Sequence, residues 1–200
     1  MNVIKFDRGT LPSTPWKNGG GHTREIARIP VASALEDFDW RVSIADVSTD
    51  GPFSTFDHVD RVIVLLGGAG VRLRSSDGKI DHRLDEPLVP FAFSGDDAIS
   101  AALIDGASSD FNVMTRRGVA RADVQIVRAG ESCAESAAGV LFAARGSWTA
   151  HARAGGLTFA LEANGGAWWD NEPLGWELES RDPDSALIAV HVRRSVNGSR

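Results

Sequence analysis

The chain has 200 residues, of which 42% are hydrophobic and 24% are charged, and its formal net charge is −6. This composition is typical of a globular protein with one domain or two small joined domains, and the negative charge argues against general binding of nucleic acids or membrane surfaces. The single cysteine, Cys133, excludes an intramolecular disulfide framework and favours a reducing compartment. Because the N-terminus is charged from its fifth residue, we expect neither a secretory signal nor a membrane anchor, and a cytoplasmic location.

Short apolar runs separated by turns rich in Gly, Pro and Asp predict an all-β chain. Proline residues and a glycine triplet before Thr23 predict a sharply bent arm, and Pro30–Asp37 is predicted to be a loop or a brief helical turn. The predicted strands are Val3–Phe6, Thr23–Ile29, a central strand from Phe38, Arg61–Leu66, Val71–Arg74, Lys79–Leu84, Phe91–Phe93, Ile99–Ile104, Asp110–Thr115, Ala122–Arg128 and Leu187–Val192.

A weak internal repeat relates Val62–Gly67 to Val140–Gly146, which have similar apolar patterns. A duplicated β-barrel is the simplest architecture that explains this repeat. We therefore predict an N-terminal barrel over residues 1–118 and a C-terminal barrel over residues 119–200, closely packed on each other. An exchange of strands between the two halves is left open.

Five stretches of the chain carry a family resemblance, and the Trp-Lys-Asn-Gly block within the first of them is distinctive. They are Pro15–Ile26, Phe38–Ala45, Asp50–Ser54 with Arg61, Phe93–Asp96 and Asp110–Met114. In these stretches the chain resembles the HutD/Ves family of cupin-like proteins. The sequence departs from the family at Phe56-Asp57-His58, where the family tends to have Phe-Pro-Gly.

The resemblance implies a bicupin, which consists of two packed jelly-roll barrels, and an association with bacterial histidine utilisation. Members of this family are regarded as accessory or regulatory proteins without an established reaction. The ligands that the resemblance implies are small carboxylate metabolites of that pathway, of the urocanate or formylglutamate class.

Metal chemistry and nucleophilic catalysis find little support in the residues. The five histidines, His22, His58, His82, His151 and His191, include no pair separated by a single residue, so we predict no metal and no cofactor. Cys133 is flanked by two nearby glutamates, which would raise the pKa of its thiol and leave it unreactive. No catalytic residue is assigned.

An anion site is the stronger prediction. Arg41 and Ser43 share one face of the central strand because side chains alternate along a strand, and Arg61 opens the strand after the next loop. If these strands pair or lie near each other, two guanidinium groups and a hydroxyl meet at one barrel mouth. Arg61 is the main candidate for binding a carboxylate, because a guanidinium can donate two parallel hydrogen bonds to it. The alternative is salt bridging, from Arg61 to Asp50, Asp57 or Asp60 and from Arg41 to Asp39 or Glu25.

The bent arm and two phenylalanines supply secondary candidates. Lys17, Asn18 and Arg24 surround the glycine triplet, whose backbone N–H groups can also bind an anion. In the alternative interpretation, the arm bends only so that Trp16 can close a barrel. Phe53 and Phe56 are predicted to be core residues or walls of the ligand pocket.

These observations favour a binding protein over an enzyme: an accessory or regulatory protein that holds a small carboxylate. The alternative is a metal-independent cupin isomerase or hydrolase of a small organic acid, with Asp50, Glu25 or His58 as the general acid or base. A structural role with a homodimer interface is a third alternative. We expect no nucleic-acid or membrane partner.

Overall fold

The computed structural model describes residues 2–31 and 37–195, and within them the secondary structure consists of β-strands without a helix. The all-β prediction is therefore confirmed, and no described helix is long and apolar enough to cross a membrane. Most of the predicted turn at Pro30–Asp37 lies outside the described residues. The strands are β1 (Val3–Asp7), β2 (Ser13–Pro15), β3 (Gly21–Ile29), β4 (Trp40–Val47), β5 (Gly51–Pro52), β6 (Val59–Gly67), β7 (Val71–Ser75), β8 (Asp81–Leu84), β9 (Pro90–Ser94), β10 (Ile99–Leu103), β11 (Ser108–Arg116), β12 (Ala120–Arg128), β13 (Ser132–Ser136), β14 (Ala138–Arg145), β15 (Trp148–Ala152), β16 (Thr158–Leu161), β17 (Gly165–Trp169), β18 (Leu174–Glu179) and β19 (Ala186–Arg194).

The chain divides into two compact units. The N-terminal unit comprises Pro12–Ala120, and the C-terminal unit comprises the described residues from Arg121 onward together with those up to Leu11. Each unit contains two antiparallel sheets whose facing sides enclose an apolar core.

In the N-terminal unit, the larger sheet has the strand order β2-β3-β4-β11-β6-β9 and the smaller one the order β5-β10-β7-β8. Strand β11 lies between β4 and β6, so the central strand and the Arg61 strand are second neighbours. In β6, Ile63 and Val64 point to opposite faces, and both are completely buried. Burial of both faces here explains the uninterrupted aliphatic run Val62–Leu66 within β6.

In the C-terminal unit, the larger sheet has the order β1-β17-β14-β19-β12 and the smaller one the order β13-β18-β15-β16. The first strand of the chain belongs to this unit, because Val3 pairs with Trp169 and Asp7 with Gly165. The core is rich in indole rings: Trp169 and Trp176 are fully buried, with ring centroids 5.5 Å apart. Aromatic side chains of this size supply a large share of the buried apolar area.

Candidate functional site

Two neighbouring rows of side chains cross the larger sheet of the N-terminal unit. In the first row, Met114 on β11 lies directly opposite Arg41 on β4 and Arg61 on β6. In the second row, Asn112 lies opposite Ser43 and is next to Met114 on the same face. Side chains opposite each other in an antiparallel pair share a face. Arg41, Ser43 and Arg61 therefore lie on one face of this sheet.

Arg61 is a buried cation with unused donors. Only 6% of the residue is exposed. Its Nη1 donates to the Ser54 carbonyl oxygen at 3.3 Å, and its Nη2 donates to Asn112 Oδ1 at 2.8 Å. Its Nε is buried without a partner among the described residues. A guanidinium has five N–H groups, and two of those of Arg61 are used in these hydrogen bonds. The other three have no acceptor among the described residues.

Three phenylalanine rings surround the Arg61 guanidinium, and we call them the phenylalanine cage. The Arg61 Cζ lies 4.9 Å from the ring centroid of Phe93, 5.6 Å from that of Phe53 and 5.8 Å from that of Phe56. The negative faces of aromatic rings attract a cation, and the rings also exclude water. The cage thus holds the guanidinium in place without neutralising its charge.

The salt bridges suggested for Arg61 do not form in the structure. Among the described residues, no carboxylate lies within ion-pair distance of Arg61. Asp60 instead pairs with Arg117 at 2.8 Å, and Asp50 accepts a hydrogen bond from the Leu103 backbone N–H at 2.8 Å. Burial lowers the pKa of Arg61 to about 10, and the nearby Arg41 adds to this effect, whereas Asp110 opposes it. A depressed arginine pKa indicates that the buried positive charge is incompletely compensated.

Asp110 and Asn112 also belong to this site, although the sequence patterns do not single out either of them. Asn112 Nδ2 donates to Asp110 Oδ1, so the amide of Asn112 links this carboxyl to Arg61. Asp110 is 1% exposed, and burial raises its pKa to about 7 although the charge of Arg61 lowers it. The available signal was the alternation of polar Asp110 and Asn112 with apolar Phe111 and Val113 in one strand.

Arg41 is paired within the protein, as the salt-bridge interpretation proposed. Its Nε donates to Glu25 Oε2 at 2.7 Å, and Arg28 Nε lies 3.3 Å from Glu25 Oε1. Ser43 lies between Glu25 and Asn112 in the sheet register. One glutamate thus faces two arginines, and this face carries an excess of positive charge when Arg61 is included.

The arm residues occupy different positions. Arg24 lies opposite Ile44, which places it on the other face of the sheet, and its guanidinium pairs with Asp46. Lys17 and Asn18 are exposed, and Asn18 Oδ1 accepts a hydrogen bond from the Gly20 N–H at 3.0 Å. Arg24 is therefore separated from the Arg61 face, and the Gly20 N–H is used inside the turn.

The arm reaches the cage through Trp16. The indole of Trp16 meets the ring of Phe53 edge-on at 6.1 Å and donates from Nε1 to Thr23 Oγ1 at 2.8 Å. This contact agrees with the interpretation that the arm bends to place Trp16 on the barrel. It also makes Trp16 a support for one wall of the cage.

A surface cleft of about 420 Å³ adjoins the cage. Phe53 and Ser54 line the cleft and also contact Arg61, but Arg61 itself does not line it. Phe53 and Ser54 therefore separate the cleft from the guanidinium of Arg61. The cleft wall carries hydroxyl groups and no ionised side chain, and its lining residues are Pro52, Phe53, Ser54, Thr55, Ser75, Ser76, Ala98, Ile99 and Ser100.

The remaining candidates for chemistry are separated from one another. His58 is exposed, has a φ of 60°, and its N–H donates to Asp96 Oδ1 at 2.7 Å. Burial raises the pKa of the Cys133 thiol. Across residues 2–31 and 37–195, no group of three His, Cys, Asp or Glu side chains converges in a way that could hold a metal ion.

Comparisons with known proteins place the chain in a family. The HutD family model matches residues 8–188. Protein Ves of Escherichia fergusonii is 42% identical over 144 residues, which cover 72% of this chain and 73% of that protein. A conserved protein of unknown function from Pseudomonas aeruginosa has a solved structure that superimposes with a TM-score of 0.86 at 32% identity, covering 96% and 99% of the two chains.

HutD from Pseudomonas fluorescens, solved in a formate condition, superimposes with a TM-score of 0.82 at 29% identity and covers 96% of this chain and 99% of its own. A cupin 2 conserved barrel domain protein from Leptotrichia buccalis shares the fold at 9% identity, with a TM-score of 0.59 over 96% and 98% of the chains. The predicted all-β bicupin fold is therefore confirmed. On the strength of the family model and these relatives, the chain belongs to the HutD family.

Proposed function

We propose that this protein binds a small organic acid of histidine utilisation, such as urocanate or formylglutamate, and that Arg61 holds the carboxylate of the ligand. The observation that carries the proposal is the state of Arg61, a buried guanidinium with three unused N–H groups and no paired carboxylate among the described residues. Burying an unpaired charge is unfavourable, so an anion that brings acceptors is expected to bind there.

The surroundings of Arg61 support a ligand site over a structural ion pair. The phenylalanine cage surrounds the guanidinium with rings, which bring no carboxylate to neutralise its charge. Met114 and Asn112 fix the position of Arg61 from β11, so the site rests on the rigid sheet. The hydrogen bond from Arg61 Nη1 to the Ser54 carbonyl oxygen is long, at 3.3 Å, and therefore weak. A carboxylate oxygen can replace this acceptor.

Calorimetric titration of the purified protein with urocanate and with formylglutamate tests the proposal. We expect one of these acids to bind, and Arg61→Ala to weaken the binding by roughly 10- to 150-fold, the range expected for loss of a hydrogen bond between charged groups. Arg83→Ala is the matched control, because Arg83 is an exposed arginine of the same unit that pairs with the exposed Asp85. No binding by the wild type, or equal losses in both variants, would contradict the site.

A second candidate function is a metal-independent reaction on the same acid, favoured by the Asp110 carboxyl with a pKa of about 7 close to the anion site. Asp110 replaces Asp50, Glu25 and His58 as the acid–base candidate, since those three side chains lie in ion pairs or on exposed loops. Turnover of urocanate or formylglutamate by metal-stripped protein, lost in Asp110→Asn, would identify an enzyme. Binding of the acid without turnover would support the binding function over the catalytic one.

A further inference from the structure

Asp110 is a buried carboxyl whose hydrogen bonds are incomplete. It lies in the middle of the larger sheet of the N-terminal unit, opposite Ala45 on β4 and Leu65 on β6. Its Oδ1 accepts from Asn112, whereas its Oδ2 is buried without a partner among the described residues. A buried carboxylate oxygen with no donor is unfavourable when it is charged, so this oxygen is a natural position for a proton.

Asn112 connects Asp110 to Arg61 in a fixed direction. Its amide oxygen accepts from Arg61 Nη2 at 2.8 Å, and its amide nitrogen donates to Asp110 Oδ1. The amide therefore turns its negative end toward the cation and its positive end toward the carboxyl. Hydrogen bonds arranged in this sense stabilise an ionised Asp110 facing a charged Arg61.

The other charged groups near Asp110 come from the neighbouring strands. On β6 the group is Arg61, whose charge lowers the pKa of Asp110, and on β4 it is Asp46, whose charge raises it. Arg41 on β4 and Glu25 with Arg28 on β3 form the ion-paired group further along the same sheet. Burial is the largest influence and raises the pKa of Asp110 to about 7. Arg61 is thus the cation that favours the ionised form of Asp110.

We propose that a carboxylate bound at Arg61 replaces Asp110 as the counter-charge of that arginine, so that Asp110 takes up one proton from solvent when the ligand binds. This inference rests on the proposed function and adds a coupling between ligand and proton. In the free protein, Asp110 and Arg61 stabilise each other through Asn112. In the complex, the carboxylate of the ligand compensates the charge of Arg61. The Asp110 carboxylate then takes up one proton and becomes a neutral carboxylic acid, and no other group changes its protonation state.

The coupling has a definite sign. Because the pKa of Asp110 rises on binding, the complex holds one more proton than the free protein wherever Asp110 is ionised in the free protein. Ligand affinity is then steady below about pH 6 and falls by up to tenfold for each pH unit above about pH 7. Formylglutamate is a suitable probe, because its carboxyl groups are ionised throughout this range and its amide does not titrate.

The test is calorimetric titration of the full-length protein with formylglutamate at about pH 8, in phosphate and in Tris buffers, whose ionisation enthalpies differ. The difference in observed heat gives the number of protons taken up. We expect close to one proton for the wild type, none for Asp110→Asn, and an unchanged value for the control Asp85→Asn, which alters an exposed carboxyl of the same unit. Binding without proton uptake, or uptake that persists in Asp110→Asn, would overturn the coupling alone.

A second measurement needs no ligand and does not depend on the folding of Asp110→Asn. The Asp110 carboxyl carbon is followed by NMR against pH in the wild type and in Arg61→Met, which removes the charge and keeps a long side chain. We expect the pH midpoint of the Asp110 titration to be higher in Arg61→Met than in the wild type. An unchanged midpoint would overturn the inference. Failure of the wild type to bind formylglutamate at any pH would overturn the proposed function for that ligand together with its coupling.

Discussion

The weak internal repeat aligns Gly139 with Arg61, because Gly139 directly precedes Val140 in the C-terminal unit as Arg61 directly precedes Val62 in the N-terminal unit. Arg61 lies opposite Phe93 on one side and Met114 on the other, and Gly139 lies opposite Trp169 on one side and His191 on the other. A Cβ atom at Gly139 would lie 2.7 Å from Trp169 Cζ2, so the indole occupies the space of a side chain there. The C-terminal unit therefore has no guanidinium at this position, and we propose the anion site for the N-terminal unit alone.

The first prediction concerns this glycine. Gly139→Ala should destabilise the protein by roughly 2–3 kcal/mol or more, because the added methyl group collides with Trp169 and with the Val190 carbonyl oxygen. Gly67→Ala is the control: it lies in β6 with no atom within 4 Å of the added methyl group, and we expect little change. Urea unfolding midpoints of the two variants give the comparison, and equal midpoints would contradict the close packing at Gly139.

The second prediction concerns the number of ligands. A titration of the wild type with formylglutamate should give one site per chain, because the proposed site is in the N-terminal unit, where Arg61 lies between Met114 and the Phe93 ring. The stoichiometry of the calorimetric titration measures it directly. A stoichiometry of two that falls to one in Arg61→Ala would show that the C-terminal unit binds the acid as well.

The third prediction separates binding from stability at Arg61. Arg61→Met should weaken carboxylate binding about as much as Arg61→Ala, while changing the free energy of unfolding by less than about 1 kcal/mol, since an apolar side chain of similar length avoids the desolvation of a buried charge. Phe53, Phe56 and Phe93 offer apolar surroundings for the new side chain. Thermal and urea unfolding measure the stability. A loss of several kcal/mol would identify Arg61 as a structural residue.

The fourth prediction concerns the pH dependence of stability. The pKa of Asp110 is about 7 in the folded protein and about 4 in an unfolded chain, so the folded protein keeps its proton between these values while the unfolded chain loses it. Stability should therefore fall as the pH rises from about 4 to about 7, by about 4 kcal/mol at most from this group. Urea unfolding of the wild type and Asp110→Asn across this range provides the measurement, and parallel pH profiles would contradict it.

The fifth prediction concerns the loop that carries Phe56. The His58 N–H donates to Asp96 Oδ1, and Arg117 pairs with the same carboxylate, whose pKa these contacts hold below its usual range. Asp96→Ala should speed hydrogen exchange of the His58 amide and weaken ligand binding, because Phe56 is part of the cage. Asp97→Ala is the neighbouring control. Unchanged exchange at His58 would show that the loop is held by other contacts.

The sequence alone was sufficient to predict the fold class and which residues of β4 share a face in the candidate site. Alternation along β4 predicted that Arg41 and Ser43 share a face, and the pairing of both β4 and β6 with β11 brings Arg61 to the same face. The position of β11 could not be read from local patterns, because its partners lie about forty residues or more away along the chain, and so Asp110 and Asn112 received no role. Arg24 lies on the other face because it pairs opposite Ile44, which depends on the strand register.

The Nε–H of Arg61, which has no acceptor among the described residues, provides the most direct test of the central claim. Its nitrogen–proton resonance can be followed by NMR while formylglutamate or urocanate is added to the wild type. A carboxylate that accepts from this group should move the proton resonance downfield and slow its exchange with water, with the same midpoint as the calorimetric binding curve. Saturable binding that leaves the Arg61 Nε–H resonance and its exchange rate unchanged would contradict the account.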